Sequence, residues 1–329
     1  HQSSTAIHVL DHNGKKILTH TIRGLWTDLF KFLKTIPGDL YICYEASNGY
    51  GYLHDNFKKL AKKVVVAHPG QLRLIFKSKK KNDRADAKKL ATLLFLDQVP
   101  AIYVPDINIR DWRRLIGLRL KTVEGSVRIK GRLRSLLRHI GRKAPCSLWT
   151  KEGLEWLKNI QWPTPQLALE YLLLIDELSG KQITLKKIET LLKTISDLHP
   201  GVALLMTVPC IGIRTAETLV AWIDDPNRFL RTNKIGSYFG LVPSQDASAG
   251  RNHLGHITKQ GPAVVRKYLC EAAWRSIKLS PKITAFFERV QRKDQSRKNI
   301  ALTATAHLLA RITLSMLSNK QPWQEPKTA

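Results

Sequence analysis

The sequence predicts an α/β N-terminal domain, a basic helical middle and a mainly helical C-terminal domain. Strand and helix signals alternate through the first hundred residues. Apolar residues then recur at helical spacing from Ile109 to Ile140 and from Leu167 to Ile195. After Leu204, helical segments flank a loop-like stretch, Gly240 to Gly261. Element by element, Ala6–Leu10 reads as a strand, Asp11-His12-Asn13-Gly14 as a hairpin turn, and Lys16–Ile22 as the returning strand. Leu25–Leu33 has helical spacing, and Leu40–Tyr44 is a buried strand ending at Glu45. Tyr50–Leu60 reads as a helix, Val64–Ala67 as a strand and Asp83–Leu96 as a helix. These give an α/β layer that starts with an antiparallel hairpin and continues through crossover strands.

The middle is rich in arginine and lysine, among them Arg110, Arg113, Arg114, Arg119, Lys121, Arg128, Lys130, Arg132, Arg134 and Arg138. Leu115, Leu118, Leu133, Leu136 and Leu137 form its apolar stripe, and the Leu167–Ile195 stretch carries a second, with Gly180 as a point of interruption. Two long amphipathic helices suit an antiparallel pair, an oligomerising coiled coil or an ordinary bundle. Helices are expected at Ala263–Ile277 and Asn299–Leu317, with a disordered tail after Asn319. The boundaries read as 1–104, 105–200, 201–318 and 319–329.

With 329 residues, 43% of them hydrophobic, the chain can build two or three cored domains. Its formal net charge of +28 calls for a polyanionic partner, and nucleic acid is the default. Cys43, Cys146, Cys210 and Cys270 are far apart, which excludes a zinc knuckle and a disulfide scaffold and suits a reducing cytoplasm. No apolar run reads as long enough to span a bilayer, and no signal peptide is evident. The chain opens at His1 in strand-like sequence, so a short preceding piece is expected.

Three constellations carry chemistry. Glu45 closes a buried strand, and Asp83 and Asp86 share one helical face. Singly, each has a plain structural explanation, such as a helix cap for Asp83. Together they suit a magnesium site for phosphodiester chemistry. Lys77, Lys79, Lys80, Lys81 and Arg84 lie beside them as phosphate guides. Second, Ser248 sits among small residues near Arg251, Lys259, Arg266 and Lys267, which are phosphate-clamp candidates. By spacing alone it reads as a loop serine. Third, Leu204 to Ala216 is similar to a helix-hairpin-helix, with Cys210 where a glycine is usual; a plain packing corner fits equally. Arg128, Lys130 and Arg132 complete the nucleic-acid-binding set.

Tyr44-Glu45-Ala46-Ser47, Asp83-x-x-Asp86-Ala87, Val208-Pro209-x-Ile211-Gly212 and Gly240-Leu241-Val242-Pro243, in that order, resemble the IS110 family of bacterial insertion-sequence transposases, with the pilin-gene invertases in the same group. The resemblance implies a RuvC-like RNase H fold with a DEDD metal site, in which Glu45, Asp83 and Asp86 match the second to fourth acids. The first acid would precede His1, so one ligand of this chain is expected to be missing; Asp11 sits in the turn and does not replace it. The resemblance also implies Ser248 as a serine nucleophile, with Ser244 as fallback, covalent attachment to DNA, a structured noncoding guide RNA and a homo-oligomer, dimer or tetramer. The expected activity is thus magnesium-dependent DNA recombination. The alternatives are a RuvC-like nuclease that uses water and a non-catalytic nucleic-acid-binding remnant.

Overall fold

In a computed structural model of the chain, the described residues are 3–76, 82–248 and 251–324. They form two compact units, His1–Ile107 and Asn108–Ala329.

In the first unit, β1 (Ser4–Leu10) and β2 (Lys16–Arg23) pair antiparallel, with Ala6 opposite Thr21. The Asp11 carboxylate makes the turn by accepting the amides of Asn13 at 2.9 Å and Lys15 at 2.8 Å. After α1 (Trp26–Leu33), β3 (Tyr41–Glu45) crosses over through α2 (Tyr50–Phe57) to the parallel β4 (Lys63–Ala67). Ile22, Leu29, Leu33 and Phe57 form the buried centre. α3 (Pro69–Ile75) is a helix the pattern did not reveal, although proline at its start and the His68 ring, which accepts from Gly70 and Gln71, mark its N-terminus. α4 (Asp83–Phe95) packs on β1 and β3.

An RNase H fold would join these strands in one sheet. Among the described residues β1–β2 and β3–β4 instead stand as separate pairs. Between them lies a cavity of about 840 Å³, lined by β1, β3, Leu29 and Leu33 of α1, and Leu90 and Leu94 of α4.

The second unit is built on two helices, α5 (Ile107–His139) and α7 (Pro165–Asp197). Arg119 meets Glu189 and Arg132 approaches Glu170, so the two run antiparallel. The expected interruption at Gly180 does not occur; α7 passes through it. At one end Ile129, Leu133 and Leu137 pack with Tyr171, Leu174 and Leu178, closed by Leu157 of α6 (Lys151–Lys158). At the other end Trp112, Ile116, Ile188 and Leu192 enter a larger core. That core also contains α8 (Pro200–Leu205), α9 (Ile213–Ile223), α10 (Lys234–Phe239), α11 (Ala263–Leu279), α12 (Pro281–Gln291) and α13 (Lys298–Asn319).

Three expectations are corrected in this unit. The stretch read as a loop contains a hairpin, β5 (Pro243–Ser248) and β6 (Arg251–Ile257), whose small polar residues carry little apolar alternation. In the part of the tail that is described, through Gln324, Trp323 is docked: its amide donates to Thr207 Oγ1 at 2.9 Å and its side chain packs on the core. An apolar helix of membrane-spanning length does exist: Gln295–Asn319 has a window of mean hydropathy 1.5, half of it buried in the unit. Ala301, Ala306, Leu309 and Ala310 within it are fully enclosed, as befits a core helix.

Gly240 ends α10 at φ +67, and an added Cβ would run into the backbone of Gln260. Gly240→Ala is expected to destabilise the unit by about 2 kcal/mol or more, from the left-handed backbone plus the collision. Urea unfolding checks this; an unchanged midpoint contradicts it.

Candidate carboxylate site and nucleic-acid interface

Glu45 is the last residue of β3 and is exposed. The next residue, Ala46, still donates its amide to Ala67 of β4 at 3.0 Å, which keeps this strand end ordered. Asp83 and Asp86 stand on the first turn of α4, where the helix dipole favours anions. Asn82, not Asp83, is the cap: its side chain accepts the Arg84 amide. Asp83 lines an open cavity of about 570 Å³ with Ser4, Ala6, Thr21, Asn82 and Arg84. Arg84 Nε donates to Thr21 Oγ1 at 3.2 Å, and Lys89 Nζ lies 3.4 Å from Asp86. Lys77, Lys79, Lys80 and Lys81 lie outside the described residues.

Carboxylates are the hard oxygen donors that magnesium takes. Yet among the described residues no three His, Cys, Asp or Glu side chains are gathered to hold an ion. As placed, Glu45, Asp83 and Asp86 do not make a metal cage.

In the second unit, Ser248 is the last residue of β5, opposite Arg251 of β6; the side chains of both lie outside what is described. Ser244 donates its hydroxyl to the His256 carbonyl at 3.2 Å. Arg266 Nη1 donates at 3.1 Å to the carbonyls of Phe239, Gln260 and Gly261, so one end of the guanidinium holds the loop before α11. Lys259 is exposed, with φ +53.

The Val208–Gly212 segment does form a hairpin between α8 and α9. Ile211 donates its amide to Val208, and Gly212 caps α9 in extended geometry, accepting from Thr215 and Ala216. Cys210 replaces the usual glycine by pointing inward, and burial pushes its thiol up to about 11.

Two arginines that the sequence pattern places on the basic surface are structural. Arg113 Nε donates to the Ala221 carbonyl at 2.7 Å, and Arg228 joins it on the Trp222 and Ile223 carbonyls, so cations satisfy the C-terminus of α9. Arg119 grips Glu189 at 2.7 Å and the Tyr268 hydroxyl at 3.2 Å. Arg214 lies 3.8 Å from the same Glu189 and 3.1 Å from Glu217, which is 1% exposed and also accepts from Ser196. Burial raises the Glu217 carboxyl even against Arg214. The only trace of this in sequence is an acid amid the small and apolar residues of α9.

On α5, Lys130 and Arg134 lie over the Trp149 ring at 4.8 and 5.4 Å, Arg132 is 3.6 Å from Glu170, and Arg128 is exposed.

Comparison with known proteins gives both units a class. A transposase model of the DEDD IS110 type matches residues 1–141, which contain all three carboxylates. The model described as the Transposase IS116/IS110/IS902 family matches residues 202–288, from the α8–α9 hairpin through most of α12. The y4qE protein of Sinorhizobium fredii, which carries a transposase name, is 27% identical across 86% of this chain and 70% of its own length. The transposase for insertion sequence element IS1111A of Coxiella burnetii is 22% identical over 80% of this chain and 72% of its own. That for IS1328 of Yersinia enterocolitica is 23% identical over 83% and 80%. The molecule is thus a transposase, a DNA-cleaving class of enzyme. Both matched models are of the IS110 type, and the chain has an N-terminal mixed α/β domain followed by a largely helical remainder.

His199 stacks on Trp112 with ring centroids 4.4 Å apart, and burial lowers its pKa. The folded state therefore holds a neutral ring while the unfolded chain protonates near the ordinary value. Stability from this group is present above that value and lost as pH falls through the lowered one. His199→Phe keeps a stacked ring and should flatten the loss of thermal stability on acidification from neutral pH; an unaltered pH profile of melting counts against this.

Proposed function

We propose that this transposase cleaves DNA strands with Glu45, Asp83 and Asp86 as its carboxylate set, which a magnesium ion would have to draw together from the separate positions they hold in the fold. The observation that carries the proposal is the placing of Asp83 and Asp86 together on the first turn of α4, with Asp83 at the mouth of an open cavity, inside the DEDD-matched segment. Hard carboxylates left accessible at a helix start suit a divalent ion near phosphates. Hydrolysis by water, without a protein–DNA bond, is the route favoured here, and a RuvC-like fold is the architecture we assign to it. Asp83→Asn, Asp86→Asn and Glu45→Gln are each expected to slow cleavage of element-end DNA by roughly 100-fold or more, with melting and DNA affinity retained. Chelation should stop cleavage and magnesium restore it. Variants that cut at the parent rate would remove these residues from the mechanism.

A serine route is the second reading, favoured by the place of Ser248 at the end of β5 where the chain turns back into β6, while Ser244 is engaged with His256. Arg251, Lys259 and the remaining guanidinium nitrogens of Arg266 are the clamp that this reading requires. It predicts a DNA–protein adduct on a denaturing gel that Ser248→Ala abolishes; cleavage without an adduct, unchanged in Ser248→Ala, leaves water as the nucleophile. The net charge of +28 also suits a structured guide RNA. The exposed Leu169, Leu172, Leu173 and Ile183 of α7 suit assembly of two or more copies.

A further inference from the structure

The distal half of α5 carries a charge pattern that its own packing does not use. From Gly125 through Lys151 the chain has eight Lys and Arg and no Asp or Glu. Ile129, Leu133, Leu136 and Leu137 turn inward to the small core with α7. Arg128, Gly131, Ser135 and Arg138 recur at intervals of three, four and three on the opposite face, all exposed, and Arg142 follows just past the helix end. Arg132, near Glu170, flanks this row on one side; Arg134, over Trp149, flanks it on the other. Among the described residues no carboxylate pairs with Arg128, Arg138 or Arg142.

Gly131 is the second observation. Apart from proline, glycine is the poorest residue for a helix interior. A Cβ at Gly131 would meet nothing within 4 Å, so packing inside the unit does not require its small size. The open space leaves room at this exposed position for another backbone to approach closely.

We infer that this face of α5 docks on duplex DNA, with Arg128, Arg138 and Arg142 on phosphates and Gly131 and Ser135 at the closest approach. The inference rests on the reading of the chain as a DNA transposase. Beside the row only Val127 is an exposed apolar residue, too little for a protein partner, and the row has no exposed aromatic ring on which single-stranded bases would stack. A helix with side chains, about 10–12 Å across, fits the B-form major groove, about 12 Å wide. The deep, narrow major groove of duplex RNA does not admit it.

The test is salt-dependent binding of the full chain to labelled duplex DNA. Arg128→Gln/Arg138→Gln/Arg142→Gln should lower the slope of log affinity against log salt by about 0.9 for each phosphate that is no longer neutralised. Lys186→Gln/Lys187→Gln on α7 is the control and should leave that slope unaltered. Gly131→Leu should melt at the parent temperature or higher, since leucine favours helix, and yet bind on the order of tenfold more weakly, because the side chain stands between arginines and phosphates. Parent-like binding by Gly131→Leu, or an equal loss in the α7 control, overturns the docking face while leaving the transposase reading intact. A loss confined to duplex RNA overturns DNA as its occupant. A parent chain that does not bind DNA sinks both.

Discussion

The second unit depends on how a strongly basic chain encloses charge. Glu217 is buried in α9, and an unpaired carboxylate there would cost several kcal/mol. Arg214 on the preceding turn and Ser196 at the end of α7 meet it. Arg214 also reaches toward Glu189 of α7, and Glu189 accepts from Arg119 of α5, which extends to Tyr268 of α11. Four helices distant in sequence are tied in one register by these side chains. A hydrophobic stripe tolerates sliding; a chain of hydrogen-bonded ions does not.

That register has consequences along the unit. With Arg119 opposite Glu189, antiparallel geometry brings Leu133 and Leu137 against Leu174 and Leu178. The inward face of distal α5 is thereby filled, and its arginines are left outside. The same anchoring places the α8–α9 hairpin beside the end of α7, and Arg113 and Arg228 close α9 at its far end. Positive charge in this protein thus falls into two groups. Some arginines satisfy buried carbonyls and carboxylates, and the others remain on the surface.

The first unit follows a different logic. Its carboxylates sit where backbone elements end: Glu45 at a strand terminus and Asp83 and Asp86 at a helix start. Ends of elements are solvated, and the helix dipole compensates anions at a helix start, where Asp86 also has Lys89 within 3.4 Å. The two strand pairs are linked through α4, which packs on both β1 and β3, instead of through a shared hydrogen-bonded edge. The position of α4 therefore governs how Asp83 and Asp86 stand relative to both strand pairs.

Local pattern determined most elements by itself. The β1–β2 turn at Asp11 to Gly14, the crossover from β3 to β4, and the two long helices are all written in periodicity and turn residues, because these depend on neighbours a few positions away. The carboxylate set was legible as residue types at strand and helix ends. Their failure to gather around one point was not, since that depends on how separate elements pack. The β5–β6 hairpin was not legible because Ser244, Gln245, Asp246 and Ser248 have no apolar alternation; their pairing comes from backbone hydrogen bonds to β6. Only the tertiary structure divided the arginines into those that hold carbonyls and carboxylates, such as Arg113 and Arg119, and those left to solvent, such as Arg128 and Arg138. Composition counts all of these charges alike, whereas burial decides which of them must find a partner within the fold.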